Sequence, residues 1–411
     1  MPHPPQIFLL KFIGLTQRPL RRPLGAQQDL RKPCFTVRCI QHLLLWLLLW
    51  GTAHAATVLQ VGPQRTIKTI AAAARLAGEN TIIDVDAGDY VGDVAVWTQP
   101  NLTLRAVGGR VRLRANGMAA EDKGIWVVRS AKFTVEGFDF EGAKVPGRNG
   151  AGIRFESGWL VVRNCSFMYN EMGLLTSNNP QAVLEVENSE FAYNMRPDGH
   201  NHNLYIGQIA RATVTGSYLH HARTGHLLKS RAATSHILYN RLTDDGGSAS
   251  YELEFPNGGV AVVVGNTIQQ GPLTENPALI FFGAEGYTWP VNQLSLAYNT
   301  LVDDLPSGGI WLKVKPGADA VLAVNNLLVG TAPLQATTPG DFRNNFNADR
   351  SSLAPGGDYR LRVGSPLLGK AIAVDKNLQP QREYSHPTHS IALDIAPHNP
   401  GAMQHLQAPR P

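Results

Sequence analysis

Lys229 and Arg231 stand two residues apart in the run His226-Leu227-Leu228-Lys229-Ser230-Arg231, and Glu252 and Glu254 repeat that spacing in Tyr251-Glu252-Leu253-Glu254-Phe255. On an extended strand, residues i and i+2 share a face. Each pair therefore presents two like charges side by side, cations in one strand and carboxylates in the next. Cations fix a bound carboxylate through charge-assisted hydrogen bonds, and a base beside such a clamp can remove the proton α to that carboxylate. Proton carriers are abundant nearby. Six of the 13 histidines (His200, His202, His220, His221, His226 and His236) lie within residues 200–236, and Tyr205 sits in Asn203-Leu204-Tyr205-Ile206-Gly207. An extended His200-Asn201-His202 would put two imidazoles on one face. Lys229, Arg231, His226, His202 and Tyr205 are the candidate groups for proton transfer and charge neutralisation.

A wider strip of contacts follows from the same alternation. In Gly152-Ile153-Arg154-Phe155-Glu156, Arg154 and Glu156 face outward. In Tyr251–Phe255 the apolar set Tyr251, Leu253 and Phe255 turns inward and Glu252 and Glu254 turn outward; in Gly309-Ile310-Trp311-Leu312-Lys313 the outward pair is Trp311 and Lys313. Arg154, Tyr251, Glu252, Glu254, Trp311 and Lys313 are the candidate substrate contacts. Rings and charges in a line suit an extended polar polymer; the bland alternative is a solvated sheet face, because most exposed charge has no function. No third ligand at a standard spacing completes a zinc motif, so no metal ligand is assigned. Asp244-Asp245 is an acidic pair, as inverting glycoside hydrolysis needs, but it precedes Gly246-Gly247 and reads as turn chemistry.

What must hold these strands is a repeat. Val162-Arg163-Asn164, Val186-Glu187-Asn188, Val214-Thr215-Gly216, Leu238-Tyr239-Asn240, Val264-Gly265-Asn266, Ala297-Tyr298-Asn299 and Val324-Asn325-Asn326 recur every 24 to 33 residues, led by Val135-Glu136-Gly137. Between them lie second apolar runs such as residues 124–128, 173–177 and 278–282. A coil of that length cannot bury its own apolar face, but stacked coils can. Asn at one turn predicts a ladder of side-chain amides along the stack. The expected fold is all-β: a right-handed parallel β-helix solenoid of nine or ten coils, with a short N-terminal capping helix over Ile67–Leu76 and an irregular C-terminal tail. Cys165, inside one of the repeat phrases, is expected to pack as a small apolar residue in the stack.

The ends read differently from the middle. An apolar run from Leu43 to Trp50, followed by Ala53-His54-Ala55, fits a secretory signal peptide cut after Ala55. The run is too short to span a bilayer, so no transmembrane segment is expected in the mature chain. Residues 1–36 exceed the usual layout of such a leader; a start at Val37, with Arg38 as the charged flank, is the alternative, and N-terminal sequencing of the precursor decides it. The predicted division is 1–55 signal, 56–338 β-helix and 339–411 wrapping tail of the same domain. The net charge of +5 belongs to the leader, which holds seven of the 37 basic residues and one of the 32 acids. The remainder is near neutral, which argues against nucleic acid as a partner.

The Asn203–Gly207 run, Leu228-Lys229-Ser230 one coil later and the Tyr239-Asn240-Arg241-Leu242 turn resemble the core of chondroitinase B and related alginate lyases, within the pectate-lyase-like β-helix proteins. The resemblance covers about 60 residues. It implies that Lys229 is the base, with Arg231 lowering its pKa, and that an extracellular or periplasmic polysaccharide containing uronic acid is the partner. It raises calcium as a cofactor, but His226 stands where the family has paired glutamates, and Glu252 and Glu254 come one coil later, which displaces any such site. The family's arginine one coil after the lysine falls near Glu254, leaving that role to Arg231 or Arg241. Three readings stay open: a uronan lyase, which is favoured; a non-catalytic carbohydrate-binding or cell-surface protein; and a polygalacturonase-like hydrolase.

Overall fold

The computed structural model describes residues 57–196, 199–336 and 340–407, with side chains described outside 334–336. The signal segment expected over 1–55 lies outside them. Among the described residues the strands form a 21-stranded sheet, a 10-stranded sheet and a two-stranded ribbon. Pairing in the two large sheets is parallel throughout, each strand bonding to its counterpart one coil away; Val162, for example, aligns with Val186, which aligns with Val214. This is a parallel β-helix. The ten-stranded sheet, from Ala95–Trp97 to Leu334–Ala336, forms one side, and the larger sheet folds around the rest.

Inward side chains fill the coil interior. Phe140, Phe167 and Phe191 stack at 4.9 and 4.7 Å between ring centroids, the ~4.8 Å spacing of adjacent strands. Trp97 and Trp126 meet edge-on at 5.4 Å in the same core. The capping helix spans Ile70–Leu76, starting three residues later than its apolar pattern because Thr69 takes the N-cap and accepts the Ala72 N–H. Asp93 accepts the Ile70 and Ala71 N–H groups at 2.6 and 2.8 Å, so the helix start is satisfied by the coil it covers. Ile70 and Ala73 are fully buried against the core.

The amide ladder is present, but the repeat phrases do not all share one register. Leu238 aligns with Thr215 and Glu187, so Asn164, Asn188 and Gly216 align with Tyr239, not with Asn240. Asn164 and Asn188 are the left-handed residues of their turns, at φ 47° and 50°. The ladder runs one position later: Asn240, Asn266, Asn299 and Asn326 each bond through the backbone N–H to the next Asn Oδ1, at 2.8, 3.0, 2.8 and 3.1 Å, reaching Asn345. Ser189 and Ser217 continue it towards the N-terminus by accepting from Cys165 N and Ser189 N. Cys165 thus fills a ladder position and is buried. Physically, Asn suits both places, since it tolerates the left-handed region and its amide can cap a neighbouring strand.

The stack extends past residue 338. Asp341–Arg343 and Phe346–Ala348 pair in parallel with the preceding coil. Segments beyond it return along the large sheet: Gly401 N bonds to Asn325 O, Ala402 N to Thr300 Oγ1 and Gln381 N to the Tyr239 hydroxyl, all within 3.0 Å. No helix among the described residues is long and apolar enough to cross a membrane.

Candidate functional site

The ten-stranded sheet aligns Arg154, Leu175, Tyr205, Lys229, Glu254, Phe281 and Lys313 in one row. A second row one step upstream aligns Met172, His202 and His226 beyond Ala151. His202 stacks on Tyr205 at 5.3 Å, His226 meets His202 at 4.5 Å, and Tyr251 meets both His226 and Phe281. The strands therefore gather Tyr205, Lys229, Glu254, His202, His226 and Tyr251 on one outer face.

A single set of polar bonds joins this group. Glu254, 2 % exposed, receives His226 Nε2–H at 2.8 Å and Lys229 Nζ at 2.8 Å. Lys229 Nζ also reaches Glu285 at 3.0 Å. Arg231 forks onto the same Glu285 carboxylate at 2.6 and 2.8 Å, donates its Nε–H to the Tyr205 hydroxyl at 2.9 Å and bonds to Asn257. Trp289 Nε1 donates to the Arg231 carbonyl and holds that turn. Glu285 and Trp289, both on the segment after Ala278–Phe282, were not legible as site residues: Glu285 lies outside any strand pattern and reaches Lys229 only across the fold.

Protonation follows from burial and partners. Burial, with the nearby cations adding to it, pushes His202 well below the usual imidazole range. Its Nδ1 accepts the His226 backbone N–H at 3.1 Å, so its own proton sits on Nε2. Burial also outweighs Glu254 in lowering His226. Burial opposes the charge on Glu254, but His226 and Lys229 hold its carboxyl below the usual range. Neutral His226 thus donates from Nε2 to an ionised Glu254, leaving Nδ1 with no partner. The Arg231 hydrogen bond, helped by a weaker pull from Lys229, outweighs burial and brings Glu285 down to about 2.

The structure corrects several expected orientations. Glu252 does not face out with Glu254: it is fully buried, with Oε2 unpartnered. Trp311, expected to pair outward with Lys313, is 3 % exposed and packs in the core. Tyr251, expected inward, is half-buried on the outer face. One cause covers all three. Leu227 and Leu228, Leu279 and Ile280, and Trp311 and Leu312 are each buried as consecutive pairs. The chain turns a corner into this sheet, so the first of each pair points into the interior and strict alternation begins only after it. Lys313 does face out, 5.0 Å above the Phe281 ring. Arg154 lies in the row, half-buried, with Nε unpartnered and its guanidinium drawn down by burial. Glu156 is committed to Arg129 and Lys123 at 2.6 and 2.8 Å.

The histidine cluster separates as well. His200 adopts φ 65°, so the chain is not extended there. His220 and His221 bond to each other on the large sheet, where His220 also meets Glu190, and His236 lies on another strand of that sheet. Asp244 is fully buried and caps Ala249 N, while Asp245 adopts φ 47° and bonds to Tyr218. The acidic pair therefore presents no two carboxylates to a common cleft. The position after Lys229 in the next coil is Glu254, so Arg231, not a next-coil arginine, supplies the guanidinium. Arg231, expected to lower the lysine's pKa, is turned to Glu285 and Tyr205, and the groups on Lys229 Nζ are carboxylates. This geometry gives Lys229 the part of a cation. Among the described residues, no group of three or more His, Cys, Asp or Glu is arranged to hold a metal ion.

Glu252 carries a prediction. Burial, and then the charge of Asp244, raises its carboxyl well above the usual range, so the folded chain keeps a proton that the unfolded chain releases. Stability then falls as pH rises from the unfolded carboxyl range through the folded value. Glu252→Gln, which cannot ionise, is expected to melt above the parent at about pH 8 and to converge with it towards about pH 4. Calorimetric melting curves across that range check this; parallel curves would refute it.

No family model matches the sequence, and no curated protein matches it. Among solved structures, the crystal structure of pectate lyase Pel9A is similar, with a TM-score of 0.57 at 13% identity over 85% of this chain and 97% of that one. At this identity the likeness is one of architecture: the chain has a pectate-lyase-like parallel β-helix fold.

Proposed function

We propose that this is an exported, polysaccharide-active β-helix protein that cleaves a uronic-acid-containing polymer by β-elimination at the Tyr205–Lys229–Arg231 face. The observation that carries the reading is the Glu285 carboxylate, held at once by Arg231 and Lys229 beside the Tyr205 hydroxyl on the same guanidinium. Glu285 stands where a substrate carboxylate would sit. With that carboxylate neutralised, the Tyr205 oxygen takes the proton from the α-carbon, C5, as its own hydroxyl proton passes to O4 of the scissile bond. The C5–H electrons form the C4–C5 double bond, and the C4–O4 bond breaks as O4 leaves with that hydroxyl proton. Arg231 Nε supports charge on the Tyr205 oxygen, and its fork with Lys229 supports the charge growing on the carboxylate. Glu254 and His226 hold Lys229 in place. Export rests on the apolar run from Leu43 to Trp50 and the Ala53-His54-Ala55 site after it, outside the described residues.

Incubating the protein with pectate, alginate and glycosaminoglycans, and following absorbance of the new double bond, tests the reading. A rise with at least one polymer supports it; silence across the panel sinks it. The occupied clamp also favours a second reading, a non-catalytic carbohydrate-binding protein, which binding without any bond cleavage would support.

Glu285 yields its own expectation. Its side chain is 46% exposed, and without it Lys229 keeps Glu254 and Arg231 keeps the Tyr205 hydroxyl and Asn257 as partners. Glu285→Gln therefore frees the clamp at little cost in stability and is expected to lower KM for the cleaved polymer by up to roughly ten-fold. Steady-state kinetics on parent and variant check this; an unchanged or higher KM would count against Glu285 as a competitor for the clamp.

A further inference from the structure

A second feature lies off the catalytic row, where the turns enter the ten-stranded sheet. Tyr169 and Tyr193 occupy equivalent turn positions on adjacent coils, because Met168 aligns with Ala192. Both adopt the left-handed region, at φ 58° and 55°, and their rings stack at 5.2 Å and 9°. Bulky side chains rarely adopt that backbone. Tyr239 and Tyr298 do so too, but those rings are buried beneath the C-terminal tail, which their hydroxyls bond. Tyr169 is 57% exposed. In the preceding coil the equivalent residue is Gly142, at φ 80°, and a Cβ there would meet nothing within 4 Å. The stack of rings is thus interrupted by a missing side chain, and the uncovered side of Tyr169 borders a cavity of about 530 Å³.

Three of the described residues that line that cavity are basic. Lys144, Arg148 and Arg196 line it with Tyr169 and Tyr193. Glu171, the one acid among the described lining residues, is 7 % exposed, and its Oε2 accepts the Val145 and Gly150 N–H groups at 3.1 and 2.8 Å. Glu171 therefore pins the loop that carries Lys144 and Arg148. Asn170 and Asn194 fix the platform from inside, since Asn170 Oδ1 accepts Ala143 N and Asn194 Oδ1 accepts Asn170 N. The site is also near the row: Met172, two residues after Asn170, takes the His202 N–H on its sulfur at 3.3 Å.

We propose that this cavity is a separate subsite for an acidic pyranose residue, which stacks on Tyr169 while Lys144 and Arg148 engage its carboxylate. Pyranose faces stack on aromatic rings, and cations give the carboxylate a partner. The volume is that of a small-ligand site. The choice of an acidic sugar rests on the reading of the Tyr205–Lys229–Arg231 face as a uronan site. A chain lying along the row would place one sugar unit, or a branch, in the cavity.

Calorimetric titration of the full chain with tetrasaccharides of galacturonate, of mannuronate and of glucuronate, with cellotetraose as the neutral control, tests this. Carrying Arg231→Gln in every sample removes the clamp of the main face. Binding of at least one acidic tetrasaccharide should survive in that background, fall about ten-fold or more on adding Tyr169→Ala or Lys144→Gln, and be retained with Tyr169→Phe. Tyr169 is exposed, so its loss leaves the coil packed. Unchanged affinity in both Tyr169→Ala and Lys144→Gln, equal binding of cellotetraose, or no binding of any acidic tetrasaccharide in the Arg231→Gln background would overturn the subsite. Polymer cleavage by the parent would in each case leave the main-face reading standing.

Discussion

Replacing Arg231 by Gln is expected to lower kcat on a cleaved uronan by about 10²–10³-fold, the usual cost of removing one preorganised donor from a developing negative charge. Gln lacks the charge and the fork that meets both oxygens of a carboxylate, and it also withdraws the N–H from the Tyr205 oxygen. The loss should fall on kcat and KM together, because the fork holds the carboxylate in the bound state and the charge on it grows as the α-proton leaves. Tyr205→Phe should lose activity to a comparable degree while keeping KM within a few-fold, since only the hydroxyl goes. Neither change opens the core: Tyr205 is half-buried and Arg231 lies on the outer face. Steady-state kinetics with a melting curve for each variant check this. A kcat within a few-fold of the parent for either would remove that residue from the mechanism.

The largest stability loss is expected in the amide ladder. Asn299 Oδ1 accepts from Asn266 N and Nδ2, at 3.0 Å each, and Asn299 Nδ2 donates to Val263 O and Asn326 Oδ1 at 2.9 and 3.1 Å. Asn299→Leu has similar volume but leaves the buried Asn266 N–H without a partner and removes one bond each from Asn266 Nδ2, Val263 O and Asn326 Oδ1, of which Asn266 Nδ2 keeps Ile237 O and Asn326 Oδ1 keeps Asn299 N. The orphaned N–H costs about 1–3 kcal/mol and each of the other lost bonds about 0.5–1.5 kcal/mol, so a loss of about 3 kcal/mol or more is expected. Asn188→Gly is the contrasting change. Asn188 supplies a left-handed turn one position off the ladder, a conformation Gly adopts freely, so this variant should stay within about 1 kcal/mol. Urea titrations of the two variants check the contrast. Equal losses would mean that the ladder register has been misassigned.

The architecture was legible because one coil must bury its face on the next, and that requirement repeats down the chain. The ladder was legible in kind, but its register was not. Val162-Arg163-Asn164 and Leu238-Tyr239-Asn240 look alike, yet one Asn is the turn and the other the rung. A one-residue offset leaves composition and spacing almost unchanged. At the outer face, His202, Tyr205, Lys229 and Glu254 were legible because strand alternation and the repeat act together. Glu252, Tyr251 and Trp311 were misread because alternation fails at the corner where the chain enters the sheet. Glu285 was invisible because its partners, Lys229 and Arg231, lie 56 and 54 residues away on other coils.

The mass of the products from a cleaved uronan oligosaccharide tests the central claim most directly. Elimination across C4–C5 yields a new non-reducing end one water lighter than hydrolysis would give. The account predicts that lighter product from the parent protein and its loss in Arg231→Gln. Products carrying the added water, or intact oligosaccharide with every uronan tested, would contradict it.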